Sequence, residues 1–127
     1  MRFAVITATL AYILSGSLVI AHEGHTAKGA NGGQIADDAG HHVEFTTKDG
    51  QVVLFLTDEA DKPMASDKSS GRMIIQDGSK QSNVELKPAA PNVLAAKLDG
   101  PLTPGAKLVV SIKMGDGHDV KARFVAK

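Results

Sequence analysis

Residues 107–124 read KLVVSIKMGDGHDVKARF, and this stretch decides the fold class. On both sides of the central Gly-Asp-Gly, apolar side chains recur at every second position. A period of two residues is typical of strands with one buried and one solvated face. A glycine-rich turn between two such strands favours an antiparallel hairpin. The stretch therefore predicts a hairpin at the end of the chain, with Val110, Ile112 and Phe124 in the core.

Shorter segments with strand character precede this hairpin. They cover residues 41–46, 52–56, 72–76, 83–87 and 93–98, and turn sequences at 48–50, 77–79 and 99–101 separate several of them. About seven short strands without an amphipathic helix predict an all-β domain over residues 32–127, specifically an immunoglobulin-like antiparallel β-sandwich. Val53 and Phe55 are expected to join the core, because residues 52–56 are apolar on both faces. Leu86, in the segment 83–87, is expected there as well.

The first 21 residues have the three-part pattern of a secretory signal peptide. Arg2 supplies the positive charge, an apolar run follows, and Val19-Ile20-Ala21 forms a cleavage motif. Ser and Gly interrupt the apolar run, which makes it short for a membrane span of about 20 residues. We therefore expect cleavage after Ala21, a periplasmic protein without membrane insertion, and a flexible polar arm over residues 22–31.

The composition excludes several classes of function. The chain has 14 basic and 14 acidic residues, which argues against nucleic acid or an anionic membrane as a partner. It has no Cys, so disulfides and thiolate metal sites are excluded. No serine lies in a nucleophile elbow, and no glycine-rich loop opens a helix for phosphate binding. The sequence thus predicts a protein that is not an enzyme.

The predicted cleavage would make His22 the first residue of the exported chain. Its α-amine and imidazole would then form a chelate for a divalent metal such as Cu(II), with His25 as a further ligand. The alternative is an exposed arm that merely contains two histidines, since short His-rich tracts also bind metals as free peptides.

Two further histidine groups lie in the predicted domain. Asp116 and His118 flank Gly117 at the tip of the last hairpin, where a carboxylate and an imidazole suit Cu(II) or Zn(II). The alternative is an ordinary Asp-Gly turn with a solvated His118. On the strand at 41–46, His42 and Glu44 share a face and would be able to seat a metal. His41 lies on the opposite face, with the apolar residues, and is expected to be a half-buried, hydrogen-bonded histidine.

Residues 31–127 resemble small exported domains associated with bacterial heavy-metal efflux systems. The similarity lies in the segments 31–34 (NGGQ), 40–44 (GHHVE) and 48–50 (KDG), which also resemble the leader regions of some periplasmic efflux adaptors. Locally, the chain is similar to the copper-resistance protein C family. In those periplasmic β-sandwiches an N-terminal His and an Asp-x-His motif hold Cu(II). The resemblance implies these roles for His22, Asp116 and His118, although Glu23 replaces the usual second-residue Ala.

Together, these features predict a periplasmic protein that binds a divalent metal, Cu(II) first and Zn(II) as the alternative. It would act in metal resistance or pass the ion to an efflux adaptor or transporter. The second hypothesis is an interaction module without a metal, which docks on such an adaptor through a sheet edge.

Overall fold

The computed structural model describes residues 28–127. The predicted signal peptide and the predicted ligands His22 and His25 lie outside this range. The described chain is all-β, and its eight strands are β1 (Gln34–Asp38), β2 (His41–Lys48), β3 (Gln51–Asp58), β4 (Ser70–Asp77), β5 (Lys80–Ala89), β6 (Val93–Lys97), β7 (Lys107–Lys113) and β8 (Asp119–Val125). Residues 28–127 form no helix that would be able to cross a membrane.

All neighbouring strands pair antiparallel, in the order β1-β2-β3-β6-β5-β4-β7-β8. The seven predicted strand segments match β2 to β8, which confirms the all-β class. β1 is an additional strand. Its sequence QIADD contains two aspartates, which are rare in strands, so the strand signal in the sequence is weak. β5 has two partners, because residues 80–86 pair with β4 and residues 87–89 pair with β6.

Tight hairpins join β2 to β3, β4 to β5 and β7 to β8, as their turn sequences predicted. At the β2–β3 turn, Asp49 and Gly50 both have positive φ angles (52° and 73°), as a two-residue turn between twisted strands favours. The long polar connection from β3 leads to β4, and β6 and β5 lie between these two strands in the sheet. The connection therefore carries the chain from one half of the sheet to the other.

The core lies on the concave face of this sheet. Leu86, Val110, Ile112 and Phe124 are buried, as predicted. The rings of Phe45 and Phe124 stack at the centre, with centroids 5.2 Å apart and an interplanar angle of 24°. The other fully buried large apolar side chains are Val43, Val52, Leu54, Leu56, Met73, Leu94, Leu108 and Val120.

The prediction for Val53 and Phe55 was wrong. Both side chains are only half-buried, while Val52, Leu54 and Leu56 on the other face of β3 form the core. Successive side chains of a strand point to opposite faces, and only one face of this curled sheet is enclosed. The apolar character of both faces of β3 therefore does not mean that both are buried.

The two end strands of the sheet, β1 and β8, lie side by side and nearly close it. No backbone ladder joins them in the pairing of residues 28–127; side chains of β1 bridge the gap instead. The Gln34 side-chain amide donates to the carbonyl of Val125 (2.6 Å) and accepts from its N–H (3.3 Å). The Asp38 carboxylate accepts from the N–H of Lys121 (2.7 Å). We call these contacts the β1–β8 seam.

Candidate functional site

Three side chains with metal-binding atoms meet at one end of the domain. His41, Asp116 and His118 each offer a ligand atom, and these atoms all lie within 4.8 Å of one another. His41 begins β2, whereas Asp116 and His118 belong to the turn between β7 and β8. His41 and Asp116 are 75 residues apart in the chain. They meet because β1 and β8, the end strands of the sheet, are neighbours in space.

Asp116 is the centre of this cluster. One of its carboxylate oxygens, Oδ2, lies 3.0 Å from His41 Nε2 and 3.0 Å from His118 Nδ1. The other oxygen accepts from the backbone N–H of His118 at 3.0 Å. The hydrogen bond from the His118 side chain, followed by that from its backbone, holds the pKa of Asp116 well below its usual range. Asp116 is therefore a carboxylate at neutral pH, the form that binds metals.

His41 is the buried member, with 4% of its surface exposed. Its Nδ1 lies 2.8 Å from the carbonyl oxygen of Ala39, which only accepts hydrogen bonds, so Nδ1 carries a proton. In the neutral tautomer with this proton, Nε2 faces the cluster and offers a lone pair to a metal. Metal-binding histidines commonly donate their second nitrogen to a carbonyl in this way, which fixes the tautomer and the ring orientation.

The backbone at Ala39 supports this arrangement. Ala39 has a φ of 49°, in the left-handed region that residues with a Cβ rarely adopt, and Gly40 follows with a φ of 75°. This two-residue turn joins β1 to β2 and directs the Ala39 carbonyl toward His41. The Asp49-Gly50 turn has nearly the same φ angles, so the hairpin geometry itself places this carbonyl.

The turn that carries Asp116 and His118 is also held in place. Its N–H and carbonyl groups bond within the hairpin, from Met114 N–H to the His118 carbonyl (2.8 Å) and from Gly117 N–H to the Met114 carbonyl (3.0 Å). The buried hydroxyl of Ser69 accepts from the N–H of Gly115 at 3.1 Å, which ties the turn to the chain before β4.

The two distances from Asp116 Oδ2 to the imidazole nitrogens are compatible with a single ion. Ligands held about 2.0 Å from a metal lie about 3.3 Å apart in a tetrahedron and about 2.8 Å apart in a square plane. The two contacts of 3.0 Å lie between these values. Asp116 and His118 are exposed, with side-chain exposures of 37% and 62%, so an ion would reach them from solvent and leave coordination positions open.

The other two predicted ligands, His42 and Glu44, lie outside this cluster. His42 Nδ1 is 2.9 Å from an oxygen of Asp61, and its Nε2 is 3.4 Å from an oxygen of Asp37. The two carboxylates thus contact opposite sides of the ring. The Glu44 side chain is directed away from His42 and from the cluster, because it turns toward the chain before β1.

Glu44 anchors the residues that precede β1. Its Oε1 accepts from the backbone N–H groups of Asn31 (2.8 Å) and Gly33 (2.9 Å), and its Oε2 accepts from the Asn31 side chain (2.9 Å). A Cβ at Gly29 would collide with the Glu44 carboxylate, so this close approach requires glycine. Residues 28–31, the last part of the predicted polar arm, therefore lie against the domain.

Replacement of Glu44 by alanine should lower the free energy of unfolding by about 1–3 kcal/mol, because two backbone N–H groups lose their acceptor. Cu(II) affinity should remain unchanged. Glu44→Gln is the matched control, since its amide oxygen keeps both backbone bonds and should preserve most of the stability. Urea unfolding and copper titration measure the two effects. A loss of copper affinity in Glu44→Gln, which keeps the anchor of residues 31–33 but loses the carboxylate, would instead make Glu44 a ligand.

His41 is the cluster residue that was left out of the predicted ligand set. Its position on the face of Val43 and Phe45 predicted a half-buried, hydrogen-bonded histidine; the hydrogen bond is confirmed, and the burial is more complete than predicted. The feature of the sequence that points to a ligand role is a histidine on the apolar face directly after the Ala39-Gly40 turn. Its proximity to Asp116 depends on the closure of the sheet, which a sequence pattern does not reveal.

Comparison with protein-family models, curated proteins and solved structures gives no significant match for this chain.

Proposed function

We propose that this protein binds a divalent metal ion, Cu(II) first and Zn(II) as the alternative, through His41, Asp116 and His118. The observation that carries the proposal is the convergence of two imidazoles on one ionised carboxylate at 3.0 Å. The Ala39 carbonyl supports it further, because it leaves His41 Nε2 as the coordinating atom. Imidazole and carboxylate donors suit both metals, and Cu(II) forms the stronger complexes with such donors.

We further propose that the protein is exported by cleavage after Ala21 and acts in the periplasm as an immunoglobulin-like sandwich. The two-part pairing of β5 supports two layers, since a strand that changes partners along its length marks a corner between sheets. In this role the protein would buffer the ion or pass it to an efflux adaptor or transporter. The exposed side of the cluster favours such a transfer.

His22 is proposed as an additional ligand from the exported N-terminus. The described chain begins at Lys28, which bridges to Gln34 at the end of β1 remote from His41. From Gln34 to Asp38, β1 covers about 13 Å. The six Cα–Cα steps from His22 to Lys28 span at most about 20 Å, so the arm is long enough to reach the cluster when nearly extended.

Copper titration against a competing chelator tests the proposal, after mass spectrometry has identified the N-terminal residue. The exported protein should bind one Cu(II). A version with one glycine placed before His22 keeps every side chain but loses the amine–imidazole chelate. If His22 is a ligand, its affinity should fall by orders of magnitude, whereas a site made only of His41, Asp116 and His118 would bind equally. Absence of binding in both proteins would contradict the function.

The interaction module without a metal receives less support. Docking through a sheet edge requires an open edge, and the end strands β1 and β8 face each other across the seam. Within residues 28–127, the two ends of the sheet therefore satisfy part of each other's hydrogen-bonding capacity.

A further inference from the structure

The β1–β8 seam is the weakest junction in the sheet. Every other pair of neighbouring strands shares a backbone ladder, whereas β1 and β8 are joined through the side chains of Gln34 and Asp38. Side-chain contacts of this kind open more readily than a continuous ladder, because each breaks without disturbing its neighbours.

The same seam separates the two halves of the candidate site. His41 follows β1 in one hairpin, and Asp116 with His118 precedes β8 in the other. The bond from Lys121 N–H to Asp38 lies three residues from His41 in the first hairpin and three residues from His118 in the second. When the seam opens, the ligands of the two hairpins move apart.

We propose that Asp38 and Gln34 are positioning residues of the metal site, and that metal binding in turn closes the seam. The inference rests on the proposed metal function and adds a coupling between the ion and the closure of the sheet. An ion bound to both hairpins stabilises the closed form. By linkage, the factor by which a bound ion favours the closed form equals the factor by which the closed form binds the ion more tightly than the open form. Loss of a seam contact weakens binding once the open form becomes populated.

Variants at Asp38 test the first half of this inference. Asp38→Ala removes the acceptor for Lys121 N–H and should weaken Cu(II) binding about tenfold, within the usual range for coupled sites. Asp38→Asn keeps an acceptor oxygen but loses the charge, and should bind as the wild type does. Asp37→Ala is the matched control, because this neighbouring carboxylate contacts His42 rather than β8.

Gln34→Ala provides an independent variant if Asp38→Ala does not fold. Gln34 bonds to Val125 at the end of the seam remote from the ligands and touches none of them. A weaker affinity for Cu(II) in this variant would therefore reflect closure of the seam and not a change in the ligands themselves.

Hydrogen exchange tests the second half. Cu(II) is paramagnetic and broadens the NMR signals of nearby amides. Exchange in the Cu(II)-saturated protein is therefore followed by mass spectrometry on peptides that cover β1 and β8. NMR is used with Zn(II) instead. The amides of Lys121 and Val125 should exchange about tenfold more slowly with metal bound. Slower exchange at Val125, remote from the ligands, is the signature of closure along the whole seam.

The outcomes separate this inference from the function on which it rests. Tight metal binding with unchanged exchange and equal affinities for all variants would overturn the coupling and leave the metal site intact. Equal losses in Asp38→Ala, Asp38→Asn and Asp37→Ala would indicate a general effect of negative charge, which also overturns it. If the wild type binds no metal, both proposals fail.

Discussion

Cu(II) should raise the melting temperature of the wild-type protein, and His118→Ala should abolish that rise. An ion that binds the folded but not the unfolded chain adds RT ln(1 + [L]/Kd), about 2.7 kcal/mol at a hundredfold excess over Kd. For a domain of this size that corresponds to a shift of about 10–20 °C. The shift requires ligands from both hairpins, because a site confined to the arm would bind folded and unfolded chains alike.

His118 is suited to this substitution because its side chain is largely exposed. The His118 side chain is 62% exposed, so its removal should change the stability of the metal-free protein little. His42→Ala is the matched control, since His42 lies outside the cluster and contacts Asp37 and Asp61. Scanning calorimetry with and without Cu(II) measures all three proteins. A wild-type melting temperature that copper does not move would contradict a site shared by the two hairpins.

Phe124→Ala should lower the free energy of unfolding by about 3–5 kcal/mol. The Phe124 ring is 4% exposed and stacks on Phe45, which joins β8 to β2 inside the sheet. Its removal loses both the transfer free energy of the ring and the contacts of the atoms around the resulting cavity. Urea unfolding followed by circular dichroism measures the change.

Val125→Ala is the control for this substitution, because the side chain next to Phe124 is 49% exposed. Its backbone contacts to Gln34 persist in the alanine variant, so the change in stability should stay within about 0.5 kcal/mol. A cost below about 1 kcal/mol for Phe124→Ala would show that the ring is not enclosed in the folded protein.

The sequence predicted the strands best where burial alternates strictly. In β7 and β8 each apolar residue faces the core and its neighbours face solvent, so the period of two is visible in the chain. β1 escaped prediction because it is short and polar, and because contacts with β2 and β8 hold it rather than its own preference. For β3, the apolar residues on both faces masked which face is enclosed.

The candidate site was predictable only in part, for a related reason. Asp116 and His118 are two residues apart, so their proximity is local and visible in the sequence. His41 joins them through closure of the sheet, which depends on the packing of all eight strands. The side-chain directions of β2 predicted that His41 is at least half-buried, but its partner is 75 residues away in the chain.

This separation bears on when a protein with the proposed metal site would acquire its ion. A chain that crosses a membrane unfolded keeps the first and last hairpins apart, so the three-residue site does not yet exist during transit. In the proposed export route, the last hairpin would have to leave the export machinery and dock against the first before the three proposed ligands meet. A protein made in this way would carry no ion outward in this site and would load it from the compartment in which it folds.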